Sequence, residues 1–174
     1  GEAVNTPLAV NEAITVPTDP FGACFDSATL VHNVQGDGPV SPDVGSIRTL
    51  EGVVVGDFDG TNQLGGFNLQ EEDRDVDDDP NTSEGIFIFT GSFGPGVSPG
   101  DVVRVRGTVA EFFGLTEITN VTDIAICLVP PDNTATPATV MLPVASVDFW
   151  ETVEGMQINI PQTLYASGNF TQGR

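Results

Sequence analysis

The chain has no lysine among its 174 residues, and Lys and Arg together number only five, all of them arginine. Asp and Glu number 25, so the formal net charge at pH 7 is −20. Such a surface repels nucleic acid, because affinity for the phosphate backbone comes from Lys and Arg that displace its counterions. General nucleic-acid binding is therefore disfavoured, whereas dissolved cations and a saline, extracellular setting would screen the charge.

Long apolar segments are also missing. No stretch approaches the roughly 20 apolar residues that a membrane-spanning helix needs, and residues 1–6 lack the basic and apolar regions of a signal peptide. The chain starts without Met and stops just after a strand-like pattern. We therefore expect a secreted, monomeric chain with no membrane contact that is a trimmed fragment of a longer protein.

A single histidine limits the catalysis that the chain can perform alone. His32 has no serine or cysteine beside it in a recognisable nucleophile pattern. We interpret it as a structural residue on a short strand over residues 29–35. The carboxylates are concentrated in one segment, whereas an acid–base pair needs two contrasting environments. The chain is therefore expected to be non-catalytic by itself.

Only two cysteines are present, and Cys24 and Cys127 are too far apart for a CxxC metal or redox motif. In a secreted protein their expected state is one disulfide, and two unrelated buried thiols are the alternative. A closed loop of about 100 residues corresponds to roughly 4–5 kcal/mol in the chain-entropy model. The bond would tie the N-terminal segment to the end of the β region.

What the chain has in abundance is carboxylate, above all in residues 73–84. Oxygen-bearing side chains occupy positions 1, 3, 5, 7, 9 and 12 of this loop, which is the ligand spacing of a calcium loop. The predicted ligands are Asp73, Asp75, Asp77, Asp79, Asn81 and Glu84. Position 6, a glycine in EF-hands, is Asp78, and both flanks resemble strands. We predict structural Ca²⁺ in a loop between strands; a solvated acidic loop is the alternative.

A second, smaller acidic pair follows the first predicted strand. Asp57 and Asp59 lie in a loop rich in turn residues. They are candidate contributors to the same ion site, provided that their loop folds beside the acidic loop. A plain turn is the interpretation that we favour.

Alternating apolar residues and glycine-rich turns predict an all-β domain. The expected strands cover residues 47–57, 65–70, 85–90, 101–112 and 115–121, the last continuing after a break as 124–129. Five such strands favour a Greek-key barrel of the oligonucleotide/oligosaccharide-binding (OB) type, with a β-sandwich as competitor. We expect an extended arm over 1–23, the barrel over 24–129, and a linker with a short α/β extension over 130–174. The extension would hold strands 139–142 and 156–160 and a helical turn over 147–155.

Several segments carry a family resemblance: residues 50–58, 64–70, 82–88, 100–109, 113–118 and 154–158. In this order they resemble the OB-fold (YhcR-like) domain of ExeM-like secreted bacterial endonucleases. The resemblance implies a non-catalytic accessory domain that precedes a catalytic DNase domain in the same parent chain. Mg²⁺ or Mn²⁺ would then serve only that catalytic domain. The family's acidic loop has glycines where this chain has Arg74, Val76 and Asp78.

The sequence also contains candidate contacts for ligands other than the ion. Arg104 and Arg106 are two residues apart on a predicted strand, so they share a face and are candidate contacts for DNA phosphates. Phe87, Phe112 and Phe113 are candidate stacking surfaces. The competing hypothesis is a calcium-rigidified saccharide-binding or adhesin-like module, with Trp150 and Tyr165 as its platforms.

Overall fold

The computed structural model describes residues 20–60, 62–91, 94, 96–128 and 134–165. Its main strands are β1 (Ile47–Phe58), β2 (Gly66–Gln70), β3 (Gly85–Phe89), β4 (Val102–Phe112) and β5 (Leu115–Cys127). They close into a barrel in the order β1-β2-β3-β5-β4, in which only the β3–β5 pair is parallel. The predicted all-β, five-stranded OB-type barrel is confirmed. The fifth strand is continuous where a break was expected.

The barrel interior follows the period of two that strands impose. Leu50, Phe67, Leu69, Ile86 and Ile88 are fully buried in one cluster. Their sequence neighbours on β2 and β3 therefore face outward. This alternation decides which side chains can meet a ligand or another part of the chain.

Two glycines allow β1 to bend and serve two partners. Its first half pairs with β4 and its second half with β2, with a register shift between Val54 and Gly56. A Cβ on Gly52 would lie 2.6 Å from the Gln70 carbonyl oxygen. Only glycine permits that approach.

The segment expected to be a strand over 29–35 contains a helix instead, α1 (Val31–Gln35). Val31 and Val34 are three residues apart and both are fully buried in the barrel cluster. Residues three apart share a face in a helix but not in a strand, so burying both favours the helix. The apolar run in residues 29–35 is too short to distinguish the periodicity of a helix from that of a strand.

The N-terminal segment is fastened to the barrel. Residues 1–19 of the expected arm lie outside the described residues. Cys24 and Cys127 form the predicted disulfide, with a Cα–Cα distance of 5.7 Å. The bond joins residue 24 to the last residue of β5, as expected.

Replacing both cysteines, Cys24→Ser with Cys127→Ser, is expected to lower the free energy of unfolding by about 2–4 kcal/mol, because the unfolded chain regains the entropy of a long loop. Urea unfolding of the variant and the wild type measures the difference. The same loss on adding a reductant to the wild type is the control. Equal midpoints for oxidised and reduced protein would contradict the expectation.

Beyond the barrel, the chain returns across its outer surface. The extension holds two short parallel strands, β6 (Ala138–Thr139) and β7 (Ile158–Asn159), and a 3₁₀ helix (Val147–Val153). Gly155 follows the helix with a φ of 69°. The expected strands are thus shorter than predicted, and the helical turn is present. We call residues 134–159 the strap.

Neither helix in the described part of the chain has the length and apolar character to cross a bilayer.

Candidate functional site

The acidic loop leaves β2 at Glu71 and returns to β3 through Glu84, whose carbonyl accepts the Glu71 amide at 2.9 Å. Its side chains do not converge on one point. Within the described ranges, three groups of three side chains place ligand atoms within 4.8 Å of one another, and two of them lie at the acidic loop: Glu71, Glu72 and Asp75, and His32, Asp77 and Glu84. The third group combines Glu51 with the disulfide cysteines, whose bonded sulfurs are not thiolates. Three of the six predicted ligands are therefore divided between the two groups at the loop, and the other three belong to neither.

The first group is a carboxylate cluster in which Glu71 and Glu72 are buried and Asp75 is partly exposed. Glu71 is 1% exposed and Glu72 is 2% exposed. The Val31 amide donates to Glu71 Oε1 at 2.5 Å, and Arg74 Nη2 lies 3.4 Å from Glu72 Oε1. With Asp75 they line a cavity of about 570 Å³. One arginine faces three carboxylates here, so negative charge is in excess.

Burial and repulsion between neighbouring carboxylates both raise pKa values in this cluster. Burial raises the pKa of Glu71 to about 8, the Val31 hydrogen bond opposes this, and the charges of Glu84, Glu72 and Asp75 add to it. Burial also raises the pKa of Glu72, although Arg74 lowers it. The charged form of both groups is therefore disfavoured unless a positive charge arrives from outside.

The second group surrounds His32, which α1 carries to the loop. Nδ1 of His32 lies 3.0 Å from Glu84 Oε2, and Nε2 lies 3.8 Å from Asp77 Oδ2. The Asp77 amide donates to Glu84 Oε1 at 3.1 Å, and Thr82 Oγ1 lies 3.2 Å from Asp77 Oδ1. His32 is thus buried, and it lies between two of the predicted metal ligands.

Three predicted ligands belong to neither group. Asp73 accepts hydrogen bonds from Thr134 Oγ1 (2.9 Å), the Thr136 amide (2.6 Å) and Thr136 Oγ1 (2.8 Å). Partial burial would raise its pKa, but these bonds hold the pKa of Asp73 below its usual value. Asp79 Oδ1 accepts from the backbone and side-chain amides of Asn81 in a tight turn. Asp73 therefore fastens the strap, and Asp79 and Asn81 bind each other.

The pair Asp57 and Asp59 does not join the acidic loop, so the condition for its contribution to the ion site is not met. Asp57 pairs with Phe67 near the start of β2, whereas the acidic loop begins beyond the end of that strand. The Asp59 amide donates to Asp57 Oδ1 at 3.0 Å, and Thr90 Oγ1 lies 3.3 Å from Asp59 Oδ1. The two loops lie at opposite ends of the β2–β3 hairpin, and the favoured interpretation of a turn is the one observed.

The prediction that Arg104 contacts DNA was also wrong. Its side chain is 1% exposed and donates from Nη1 to Glu51 Oε2 at 3.0 Å. Its other donors meet the carbonyl oxygens of Phe21, Asp26 and Ser27. Arg104 thus holds the N-terminal segment on the barrel and is closed to phosphate.

The remaining candidate contacts differ in their exposure. The partly exposed Arg106 has Nη1 3.3 Å from Thr122 Oγ1 and 3.9 Å from Asp123 Oδ2, and its contact with DNA stays a prediction. Phe87 is only 5% exposed and offers no stacking surface, whereas Phe113 at the β4–β5 turn is 98% exposed.

The outer face of β2 and β3, where OB barrels commonly bind oligonucleotides and oligosaccharides, is covered by the strap. Asn68 Nδ2 donates to the Gly155 carbonyl at 2.8 Å. Gln70 accepts from the Gln157 amide at 3.0 Å and donates to the Thr136 carbonyl at 2.9 Å. This face is therefore occupied by the protein's own backbone.

A cleft of about 450 Å³ opens where β3 ends and β5 continues. Phe89, Asn120, Thr122 and Asp123 contribute to its lining. Asn120 has a φ of 47°, in the left-handed region. An aromatic ring beside amide, hydroxyl and carboxylate groups is a lining suited to a small polar ligand. Sequence reasoning did not identify this cleft.

Sequence reasoning also missed Glu71 and Glu72, which directly precede the predicted calcium loop. Their signal was the end of β2: the β2–β3 register pairs Gln70 with Gly85, so residues 71 and 84 must be neighbours. Counting positions along the loop does not reveal that juxtaposition.

The described side chains show no histidine-activated nucleophile, because both ring nitrogens of His32 face carboxylates. What they offer is carboxylate oxygens in a buried setting, which suits a hard divalent cation. Comparison of the sequence with protein-family models and with curated proteins found no match.

Proposed function

We propose that this chain is a non-catalytic accessory OB domain of a secreted, metal-dependent DNA endonuclease, stabilised by calcium. Its task would be to position the catalytic domain of the parent chain. The sequence resemblance described above supports the nuclease assignment, and the OB-type barrel is compatible with it. The disulfide supports an extracellular location, because such bonds persist mainly in oxidising compartments.

The cluster of Glu71, Glu72 and Asp75 is the observation that supports calcium binding. All its ligand atoms are carboxylate oxygens, which Ca²⁺ prefers, and the adjoining cavity has room for the waters that complete its coordination. Bound calcium would offset the burial and repulsion that raise the pKa of Glu71. The residues therefore fit the ion, although they are not the six that the loop spacing predicted.

The second group suits calcium less well. His32 offers a nitrogen, which transition metals accept more readily than calcium does. Its contacts with Asp77 and Glu84 also form ion pairs whenever the ring is protonated. We assign this group the role of attaching α1 to the acidic loop.

Two observations favour positioning of the catalytic domain, rather than guidance of a nucleic-acid substrate, as the role of this chain. The face of β2 and β3 is covered by the strap, and Arg104 is buried. In the attached state the strap is hydrogen-bonded to the barrel through Asp73, Asn68 and Gln70, which gives the chain that follows the barrel a defined path. Such attachment orients whatever is joined to it.

Incubation with DNA tests the absence of catalysis and of substrate binding. With plasmid DNA and Mg²⁺, Mn²⁺ or Ca²⁺, no cleavage by the purified chain is expected. Fluorescence anisotropy with single- and double-stranded DNA should show no affinity that weakens with salt, since a charge of −20 opposes phosphate binding. Arg106→Ala is the matched variant for any residual binding. Cleavage, or salt-dependent binding lost in that variant, would contradict the proposal.

A saccharide-binding or adhesin-like module is the second candidate function. The β3–β5 cleft, with Phe89 beside Asn120 and Asp123, is the observation that favours it. Trp150 and Tyr165 are also exposed, as that hypothesis requires. A glycan screen tests whether the chain binds a saccharide. Asn120→Gly is the matched variant, because glycine keeps the left-handed backbone at this position while the side-chain amide is lost.

A further inference from the structure

The strap lies on the barrel as a peptide ligand would. Residues 154–157 run along the outer face of the β2–β3 hairpin, and Ser83 Oγ donates to the Glu154 carbonyl at 2.6 Å. We infer that this face is a binding surface for a peptide main chain and that the strap, whose residues 154–156 form a turn there, is its intramolecular occupant. Ligands from outside reach the face only when the strap detaches.

The chemistry of the contacts defines the kind of partner. Asn68 and Gln70 use their side-chain amides to bind the backbone of Gly155, Gln157 and Thr136. Amide groups that donate to carbonyls and accept from N–H groups recognise a peptide main chain, whatever its side chains. Phosphate offers only acceptors, so it cannot reproduce the Gln157 contact.

A glycine in the barrel and a glycine in the strap allow the two backbones to come close together. A Cβ on Gly85 would lie 2.3 Å from the Met156 nitrogen and 2.4 Å from the Gly155 carbonyl carbon. A Cβ on Gly155 would lie 2.7 Å from the Ile86 nitrogen, and its φ of 69° disfavours any side chain. The surface therefore accepts backbone against backbone, with a glycine of the occupant over the start of β3.

Part of the strap is held more weakly than the barrel is. Val140 is only 1% exposed, but residues 141–157, which include the 3₁₀ helix Val147–Val153, bury none of their side chains, whereas the barrel strands share a continuous apolar cluster. Segments held by hydrogen bonds with little apolar burial open locally at lower cost than the whole domain unfolds. Residues 141–157 can thus leave the face while the barrel stays folded.

Hydrogen exchange of the wild-type protein tests whether the strap detaches while the barrel stays folded, and it needs no variant. The amides of Ala138 and Gln157, which bond to Gln157 and to Gln70 respectively, are expected to exchange faster than those of Leu69 and Ile88 in the barrel. Equal protection of strap and barrel would overturn the local opening.

A synthetic peptide with the sequence of residues 151–160 tests the surface itself. Gly155→Ala expels the strap without changing the face, so the labelled peptide should bind this variant roughly tenfold more tightly than the wild type, the equivalent of one or two hydrogen bonds. Gly45→Ala is the matched control, because Gly45 also has a positive φ but nothing near its Cβ position.

Several results would overturn the inference. These are equal binding of the peptide to the wild type and to Gly155→Ala, binding to neither while exchange shows the strap released, and preference of the variant for an oligothymidylate over the peptide. Should Gly155→Ala fail to fold, Gly85→Ala removes the same close contact from the barrel side. Its strap amides should then exchange faster than in the wild type, and unchanged exchange would contradict the proposed contact.

Discussion

Replacing Arg104 with methionine is expected to lower the free energy of unfolding by about 3–5 kcal/mol. The substitution leaves the Glu51 carboxylate buried without its partner and frees the carbonyl oxygens of residues 21, 26 and 27. Removing one member of a buried ion pair costs more than the pair contributes, because the remaining charge stays desolvated. Urea unfolding with the disulfide intact measures the loss.

Two further variants separate the ion pair from mere loss of bulk. Arg106→Met, on the same face of β4, should cost about 1 kcal/mol or less, because its partner Asp123 is half exposed. Combining Arg104→Met with Glu51→Gln should cost less than the sum of the two single changes, since no uncompensated charge remains. Equal losses for Arg104→Met and Arg106→Met would show that the buried pair has no special role.

The second large effect concerns pH in the presence of a chelator. The pKa of Glu71 rises from 4.5 to about 8 on folding. Between these values the folded protein binds more protons than the unfolded chain, so the free energy of unfolding falls as pH rises. This group's stabilisation is complete below its unfolded pKa and is lost as pH rises through about 8. From about pH 5 to pH 8 the loss attributable to Glu71 should be roughly 3–4 kcal/mol.

Glu71→Gln isolates this group. Glutamine keeps an acceptor for the Val31 amide but does not titrate, so the variant should lose less stability than the wild type over the same pH range. Unfolding in guanidinium chloride, which screens the general repulsion of a highly charged chain, gives the two pH profiles. Parallel profiles would show that Glu71 is not the group responsible.

Sequence patterns predicted the parts of this fold that depend on local order. The alternation of apolar residues in β2 and β3, the glycines of β1 and the turn signals between strands were sufficient to predict the barrel. The disulfide followed from there being only two cysteines. These features need no knowledge of which strands become neighbours.

The candidate site was predicted less well, because its members come from different parts of the chain. The loop spacing identified Asp75 but not Glu71 and Glu72, which join it through the β2–β3 register. Asp73 met all the local criteria for a ligand, yet Thr134 and Thr136, about sixty residues away, occupy it. Arg104 was predicted to share a face with Arg106, but nothing local showed that residues 21–27 would cover it.

The most direct test of the account is thermal unfolding with and without calcium at neutral pH. Protein freed of metal with a chelator is expected to melt about 5–10 °C lower than protein in saturating calcium, because the ion binds the folded state and neutralises the buried carboxylates. Glu72→Gln should reduce the shift, and Asp79→Asn, in the same loop but outside the cluster, should retain it. Sodium chloride at matched ionic strength controls for screening. A shift that sodium chloride reproduces in full, or equal melting temperatures with calcium and with chelator, would contradict the proposal that the buried carboxylates hold a divalent cation.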